Sequence, residues 1–202
     1  YIELIEKLGK LYYQLNSEPV KYVDVTYWGD VTKFDVDALE IAFLKGLLQP
    51  VTNDRVNYIN ARIVAEQNGI GIKQQKIEEQ YKNYSNLITI KITNNKMEEF
   101  TLAGSVSSNH EGKIVEIQGY EVDVKPSTHM VFVQNKDVPG VIGQVGTIIG
   151  MEGINVATMQ VGRKAKGENA LMILNVDTEV SDESIKKFKE VQDIIEVKAT
   201  RV

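Results

Sequence analysis

The chain contains no cysteine, only two histidines and no long apolar run. The absence of cysteine excludes disulfides, thiolate catalysis and zinc–thiolate sites. His110 and His129 lie far apart without metal-ligand spacing, so we predict neither a metal site nor a catalytic histidine. No apolar run approaches the roughly 18 residues that a bilayer requires, and no secretory signal is visible. The sequence therefore predicts a cytoplasmic protein with no membrane partner.

Positive charge is also scarce relative to negative charge. The 202 residues carry a net charge of -5, which argues against nucleic acid as a partner because backbone contacts require clustered Lys and Arg. Serines occur without a GxSxG motif, and the neighbouring carboxylates lie at solvated positions, so no catalytic residue is predicted. The first residue is Tyr1, inside a helical pattern, and we expect the natural chain to continue upstream.

The first part of the chain mixes helices and strands. Apolar spacing predicts a helix from the first residues to about Leu15, a strand over 20–28, a helix capped by Asp35 and another helix over about 54–68. From residue 70 the period changes, and strands are predicted over 87–93, 98–106, 113–117 and 120–124, with hairpin turns near residues 95 and 118. The predicted boundary lies at residues 126–128, so residues 1–127 are expected to form one α+β domain.

The remaining residues, 128–202, show a different order of elements. Strands are predicted over 130–134, 154–162, 168–176 and 194–200, and helices over 140–152 and 182–190, the second capped by Ser181. This βαββαβ order is typical of a ferredoxin-like sandwich of one antiparallel sheet and two helices. The predicted fold class is therefore α+β, with an intervening domain followed by a ferredoxin-like domain.

The turn between the first strand and helix of this second domain concentrates polar groups. Asp137 is placed to cap the helix, and Pro139 suits its first turn. A carboxylate beside a helix N-terminus suits a small zwitterion, because Asp137 would meet the ammonium and the backbone N–H groups would meet the carboxylate. Asn155 follows the helix and is the second candidate. The alternatives are structural: Asp137 could only cap the helix, and Asn155 could satisfy its own turn.

Glycines recur every third residue along the same helix, at Gly140, Gly143 and Gly146, with a further one at Gly150. The dinucleotide fingerprint places its first two glycines two residues apart, so NAD binding by this segment is not predicted. Uniform spacing instead predicts a helix face that packs closely against other backbone.

Several stretches resemble a known family. Residues 137–163, DVPGVIGQVGTIIGMEGINVATMQVGR, resemble the ACT domain, a small-molecule-sensing domain, in the form found in D-3-phosphoglycerate dehydrogenases. Residues 56–70, VNYINARIVAEQNGI, and 112–126, GKIVEIQGYEVDVKP, are similar to the domain that precedes the ACT domain in longer members of that family, the allosteric substrate-binding domain. The resemblance covers nearly the whole chain.

This resemblance implies a regulatory function. It implies L-serine, or a similar small amino acid, as the effector, held by Asp137, Asn155 and Asn135 with main chain at Val138, Pro139 and Gly140. It also implies pairing of two ACT domains into a homo-oligomer. The NAD-dependent catalytic domains of the same chain would lie upstream, so this fragment is expected to have no cofactor and no dehydrogenase activity.

Some positions depart from the family pattern. Asn135 stands where a His or Tyr is expected. An anion site in the first domain is implied at Lys113 and Lys125, but Lys125 stands where an Arg is expected, and lysine lacks the bidentate fork of arginine. Solvated strand lysines are the structural alternative. Two other functions stay open, a dimerisation domain without an effector and a subunit of an L-serine dehydratase, although the chain lacks cysteines for an iron–sulfur cluster.

Overall fold

The computed structural model describes residues 1–52, 55–165 and 167–202. By their internal contacts these residues form two compact units, Tyr1–Gln118 and Gly119–Val202. Both mix helices with sheet, which confirms the α+β prediction. In the described ranges no helix combines the length and apolar character that crossing a bilayer requires.

The first unit has its helices on one face of a sheet. Its elements are α1 (Ile2–Leu15), β1 (Val20–Gly29), a 3₁₀ turn (Asp30–Lys33), α2 (Val36–Leu48), α3 (Ala61–Gln67), β2 (Gly71–Ile77), β3 (Asn86–Asn94), β4 (Glu99–Val106) and β5 (Gly112–Ile117). Within this unit the strand order is β2-β1-β3-β4-β5, with β1 and β2 parallel and the other pairs antiparallel. The cap that was predicted for α2 is present, since the Asp35 carboxylate accepts a hydrogen bond from the Asp37 N–H at 3.1 Å.

Strand β2 was not predicted from the sequence. Four consecutive polar residues, Lys73 to Lys76, form its centre, and such a run shows no alternation. The strand exists because its backbone pairs with β1 over seven residue pairs, from Tyr22 with Gly71 to Trp28 with Ile77.

The prediction of a helix over 54–68 was wrong for the first half of that range. Asp54, the predicted start, lies outside the described residues. Helix α3 begins only at Ala61, because Asn57 and Asn60 organise a turn before it. The Asn57 Oδ1 accepts hydrogen bonds from the N–H groups of Ile59 and Asn60, and the Asn60 Oδ1 accepts one from the Asn57 N–H. Side-chain bonds of this kind compete with helix formation. As a result Ile59, which would lie on the apolar face of the predicted helix, is 89% exposed.

The second unit contains the predicted βαββαβ sandwich, preceded by one strand. Its elements are β6 (Tyr120–Val124), β7 (His129–Lys136), α4 (Val141–Met151), β8 (Val156–Arg163), β9 (Asn169–Val176), α5 (Asp182–Lys189) and β10 (Ile194–Arg201). The sheet has the order β10-β7-β9-β8, and every pair is antiparallel. Its core includes Val131, Val133, Val145, Met172 and Phe188, from strands and helices alike. The ferredoxin-like prediction is confirmed.

Strand β6 places the division between the units earlier than the boundary predicted at residue 127. It lies close to the ferredoxin-like sheet at Gly162 of β8. A Cβ added to Gly162 would stand 2.7 Å from the carbonyl oxygen of Glu121. The Asn175 Nδ2 also donates to the carbonyl oxygen of Lys125 at 3.0 Å. By their contacts residues 119–127 lie with the second unit, and the domain boundary at residue 127 stays a prediction.

The inward face of β10 also differs from its predicted alternation. Strict alternation along the predicted strand would place Ile195 on the same face as Val197, but Ile195 is 50% exposed. The register with β7 slips between Ile194 and Glu196, so Ile194 takes the inward position instead. A bulge of this kind moves neighbouring side chains to the opposite face.

Candidate functional site

The loop between β7 and α4 is held at both sides by backbone hydrogen bonds. The Asp137 N–H donates to the Glu168 carbonyl oxygen at 2.9 Å, next to the start of β9. The Lys136 N–H donates to the Asp193 carbonyl oxygen at 2.9 Å, next to the start of β10. The polar loop that was singled out in the sequence is therefore fixed to the end of the sheet.

Helix α4 has no side-chain cap, and the predicted cap by Asp137 was wrong. Its N-cap residue is Gly140 with φ 97°, a left-handed conformation that glycine adopts without steric cost. Pro139 precedes this cap, so it lies outside the helix instead of in its first turn. The first N–H groups of α4 therefore donate no hydrogen bond to a side chain of the described residues, and the positive end of the helix dipole stays available.

The Asp137 carboxylate binds the β8–β9 hairpin instead. Its Oδ2 accepts a hydrogen bond from the Arg163 Nη1 at 3.1 Å and a longer one from the Gly167 N–H at 3.4 Å. The Asp137 side chain is 23% exposed and the Arg163 side chain 55%. No motif in the sequence connects these two residues. The strand order could have done so, because β7 pairs with β9 and β9 with β8, which brings the end of β7 and the end of β8 to one edge.

Asn135 lies beside this pair but is buried. It is 4% exposed, on β7 between Ala170 of β9 and Ile194 of β10. Its Nδ2 donates to the Lys136 carbonyl oxygen at 2.6 Å, whereas its Oδ1 is buried without a hydrogen-bond partner among the described residues. Buried acceptors are rarely left in this state, because the desolvation cost is about 1–3 kcal/mol.

Asn155 lies at the other end of the sheet. It directly precedes β8, its Nδ2 donates to Asp177 Oδ2 at 2.7 Å, and the Asp177 N–H donates back to the Asn155 carbonyl oxygen at 3.1 Å. Beyond it, the hydrogen bonds of Lys187 and Ser184 hold the pKa of the Glu152 carboxyl below its ordinary value. These contacts fasten the end of α4 to α5.

The structure therefore separates the two best candidates within one chain. Val156 at the start of β8 pairs with Val176, whereas Arg163 at its end pairs with Ala170. Eight strand residues span about 26 Å, so Asp137 and Asn155 cannot contact one small ligand in a single copy.

One side of α4 is open. A Cβ placed on Gly143, Gly146 or Gly150 would meet no atom within 4 Å, and Ile142 on the same side is 53% exposed. The sequence predicted that these glycines form a packed face, and within one chain that prediction was wrong. The neighbouring edge of the sheet is β8, which pairs only with β9 in the described part of the chain.

The two candidate anion-binding lysines belong to different units. Lys113 lies on β5, partly buried, opposite Ser105 of β4. Lys125 is exposed and follows β6, and its carbonyl oxygen accepts the hydrogen bond from Asn175. Their role in binding an anion stays a prediction. Among the described residues, no group of three or more His, Cys, Asp or Glu side chains is arranged to hold a metal ion.

The second unit is thus a βαββαβ sandwich with charged and amide side chains at the ends of its sheet, the architecture of a small ferredoxin-like domain. Comparison with known families agrees: residues 129–193 match the ACT domain, and residues 1–118 match the D-3-phosphoglycerate dehydrogenase intervening domain. The chain belongs to the family of D-3-phosphoglycerate dehydrogenase intervening domains, here followed by an ACT domain.

Individual relatives agree with this assignment. The chain is 38% identical over 198 residues to the D-3-phosphoglycerate dehydrogenase of Bacillus subtilis, covering 98% of this chain and 37% of the relative. It is 36% identical over 197 residues to that of Methanocaldococcus jannaschii, covering 98% of this chain and 37% of the relative. It is 34% identical over 195 residues to that of Synechocystis, covering 96% and 35%. The chain thus spans little more than a third of the length of these relatives.

Proposed function

We propose that this chain is the regulatory part of a D-3-phosphoglycerate dehydrogenase, and that two copies pair through their ACT domains and bind L-serine between them. The NAD-dependent oxidation of 3-phosphoglycerate belongs to residues outside this chain, in the cytoplasm, and the chain itself performs no chemical step. Serine acts as a feedback effector, because it binds one arrangement of the parent enzyme better than another.

The observation that carries the proposal is the position of Asp137 and Asn155 at opposite ends of β8. A two-fold axis beside this edge strand would reverse the direction of the second copy. The Asp137 end of one copy would then meet the Asn155 end of the other, so that each pair of copies has two equivalent sites. The open glycine side of α4 supports the pairing, since it lets a second backbone approach closely.

Each group in this site has a chemical role. Asp137 accepts hydrogen bonds from the ammonium of serine, and the uncapped N-terminus of α4 near Val138 to Gly140 binds its carboxylate. The amide of Asn155 from the second copy binds the remaining polar atoms, and Asn135 offers its unpartnered Oδ1. One charge-assisted bond contributes about 1.5–3 kcal/mol, whereas micromolar affinity requires about 8 kcal/mol. Several such groups in an enclosed interface are therefore needed.

Calorimetric titration of the chain with L-serine tests the proposal, with D-serine and glycine as controls. Asp137→Ala and Asn155→Ala are each expected to abolish binding without loss of the fold. The decisive experiment is a titration of a mixture of the two variants. In a mixed pair one site receives both defects and the other receives none, so about a quarter of all sites regain serine binding after the copies exchange. Failure of the mixture to bind, although each variant still pairs, would exclude a site shared between copies.

A pairing domain without an effector is the second candidate. The hydrogen bond from Arg163 favours it, because the Asp137 carboxylate already has a cationic partner in the absence of any ligand. In that case the unmodified chain forms pairs but releases no heat with millimolar L-serine, and Asp137→Ala changes neither pairing nor heat.

A further inference from the structure

We propose that Arg163 is a specificity-determining residue of the ACT site: together with Asp137 it forms a paired cradle that selects ligands with a free carboxylate next to an ammonium. This inference rests on the proposed function and adds to it a binding group that neither the resemblance nor the loop sequence indicates. It also predicts that amines without a carboxylate bind more weakly.

The geometry of the pair leaves both partners able to bind more. A guanidinium has five N–H donors, and the only hydrogen bond of Arg163 to the described residues uses Nη1. A carboxylate has about four acceptor positions, so Asp137 can keep this bond while it accepts others. The contact is one-sided rather than a bidentate fork, and the Arg163 side chain is 55% exposed. The pair thus presents one charge of each sign, side by side, to solvent.

The two neighbouring charges of Asp137 and Arg163 complement the two charges of a zwitterion. An α-amino acid carries its ammonium and its carboxylate on one carbon, so its two charges lie close together. The Asp137 carboxylate and the Arg163 guanidinium are also close neighbours. The ammonium meets Asp137, and the carboxylate meets the free N–H groups of Arg163. A planar guanidinium is suited to carboxylate recognition because two parallel N–H groups can reach both oxygens.

Neighbouring groups distinguish this pair from an ordinary surface ion pair. Asp137 is tied by its own N–H to Glu168, so the carboxylate is held at the end of the sheet. The N-terminus of α4 lies next to it without a side-chain cap. Asn135 lies two residues before Asp137, and its Oδ1 is buried without a hydrogen-bond partner among the described residues, so an unused acceptor lies close to the pair.

The test compares two ligands that differ only in the carboxylate, L-serine and L-serinamide, with four chains: unmodified, Arg163→Gln, Arg163→Lys and Lys164→Gln. Lys164→Gln is the matched control, because it removes the same charge from the adjacent residue of the hairpin, where Lys164 lies over the ring of Tyr120 at 4.7 Å. Calorimetry gives the affinities, and thermal unfolding checks that each variant is folded.

The unmodified chain is expected to bind L-serine more tightly than L-serinamide. Arg163→Gln is expected to weaken L-serine binding by about tenfold to a hundredfold and to leave L-serinamide binding unchanged, since the lost bonds are those to the carboxylate. Arg163→Lys is expected to fall between, because lysine keeps the charge but loses the fork. Lys164→Gln is expected to bind both ligands as the unmodified chain does.

Other results would overturn the inference. If Arg163→Gln and Lys164→Gln weaken L-serine equally, only the general charge of the hairpin matters. If Arg163→Gln weakens both ligands by the same factor, or neither, the residue does not read the carboxylate. In these cases the proposed serine site survives as long as Asp137→Ala still abolishes binding. If the unmodified chain binds no L-serine at all, the proposed function fails and the cradle fails with it.

Discussion

Glu6 joins three parts of the first unit through one carboxylate. Its two oxygens each accept a hydrogen bond from the Lys45 Nζ of α2 at 2.8 Å, and the Tyr58 hydroxyl donates to it at 2.6 Å. Burial disfavours its charge, but these hydrogen bonds and the nearby charges of Lys45 and Lys10 hold the pKa of Glu6 below its ordinary value. A carboxyl whose pKa is lowered by folding stabilises the fold above its unfolded pKa, and this contribution is lost as the pH falls through the folded pKa.

We therefore predict that Glu6→Gln lowers the free energy of unfolding at pH 7 by about 1–3 kcal/mol, because Lys45 loses a charged acceptor. The difference between the variant and the unmodified chain is expected to shrink as the pH is lowered from 7 towards 3. Urea unfolding across this range measures it. Glu3→Gln is the control, since that residue of the same helix is exposed and pairs with Lys7 at the surface. A pH-independent difference would contradict the role of the Glu6 charge.

At Gly162 strand β6 lies close to β8, the edge strand of the ACT domain. A Cβ there would stand 2.7 Å from the Glu121 carbonyl oxygen and 2.9 Å from the Val122 Cγ1. Because one of these atoms is backbone, Gly162→Ala is expected to lower the free energy of unfolding by about 1–3 kcal/mol. Denaturant unfolding that shows no loss would mean that β6 does not hold this position in solution.

At the scale of elements, helices α1 and α2 cross, and each has a glycine at the point of contact. A Cβ on Gly46 would overlap the carbonyl oxygen of Glu6, and one on Gly9 would overlap that of Phe43. Backbone approaches backbone here, so neither helix can yield by moving a side chain.

Gly46→Ala is therefore expected to destabilise the chain by about 3 kcal/mol, although alanine is the better helix former. Gly143→Ala in α4 is the matched control, because its Cβ would enter open space. At protein concentrations too low for copies to pair, helix propensity alone acts there, and stability is expected to rise by about 0.5–1 kcal/mol. Thermal unfolding of both variants tests this. If the two substitutions change stability in the same direction, the close crossing of α1 and α2 is contradicted.

The elements themselves were largely predictable where a single period or a cap decides them. Strand β6 and helix α5, with the Ser181 Oγ accepting from the Ser184 N–H, lie where the pattern placed them. Strand β2 was not predictable in this way, and neither was the turn that replaces the first half of the helix predicted over 54–68. The first depends on pairing with β1, and the second on the asparagine turn that replaces a helical turn.

At the scale of the whole molecule, the open side of α4 predicts how copies associate. Gly146→Gln adds a side chain where the second copy is proposed to approach, so we expect it to shift the chain towards single copies and to weaken serine binding together with pairing. Sedimentation at several concentrations measures the association. Met151→Gln, a change of an 82% exposed side chain elsewhere on this helix, is the control. Normal pairing of Gly146→Gln would place the interface on another surface.

The sequence by itself determined the α+β class, the βαββαβ order of the second unit and the polar loop at Asn135 to Gly140, because periodicity, caps and turn residues act over a few positions. Only the tertiary structure decided that Asp137 binds Arg163 instead of capping α4, that Asn155 lies at the far end of the same sheet, and that the glycine side of α4 is open. These facts depend on which strands pair and in what register, and that choice is made by contacts between residues distant in sequence.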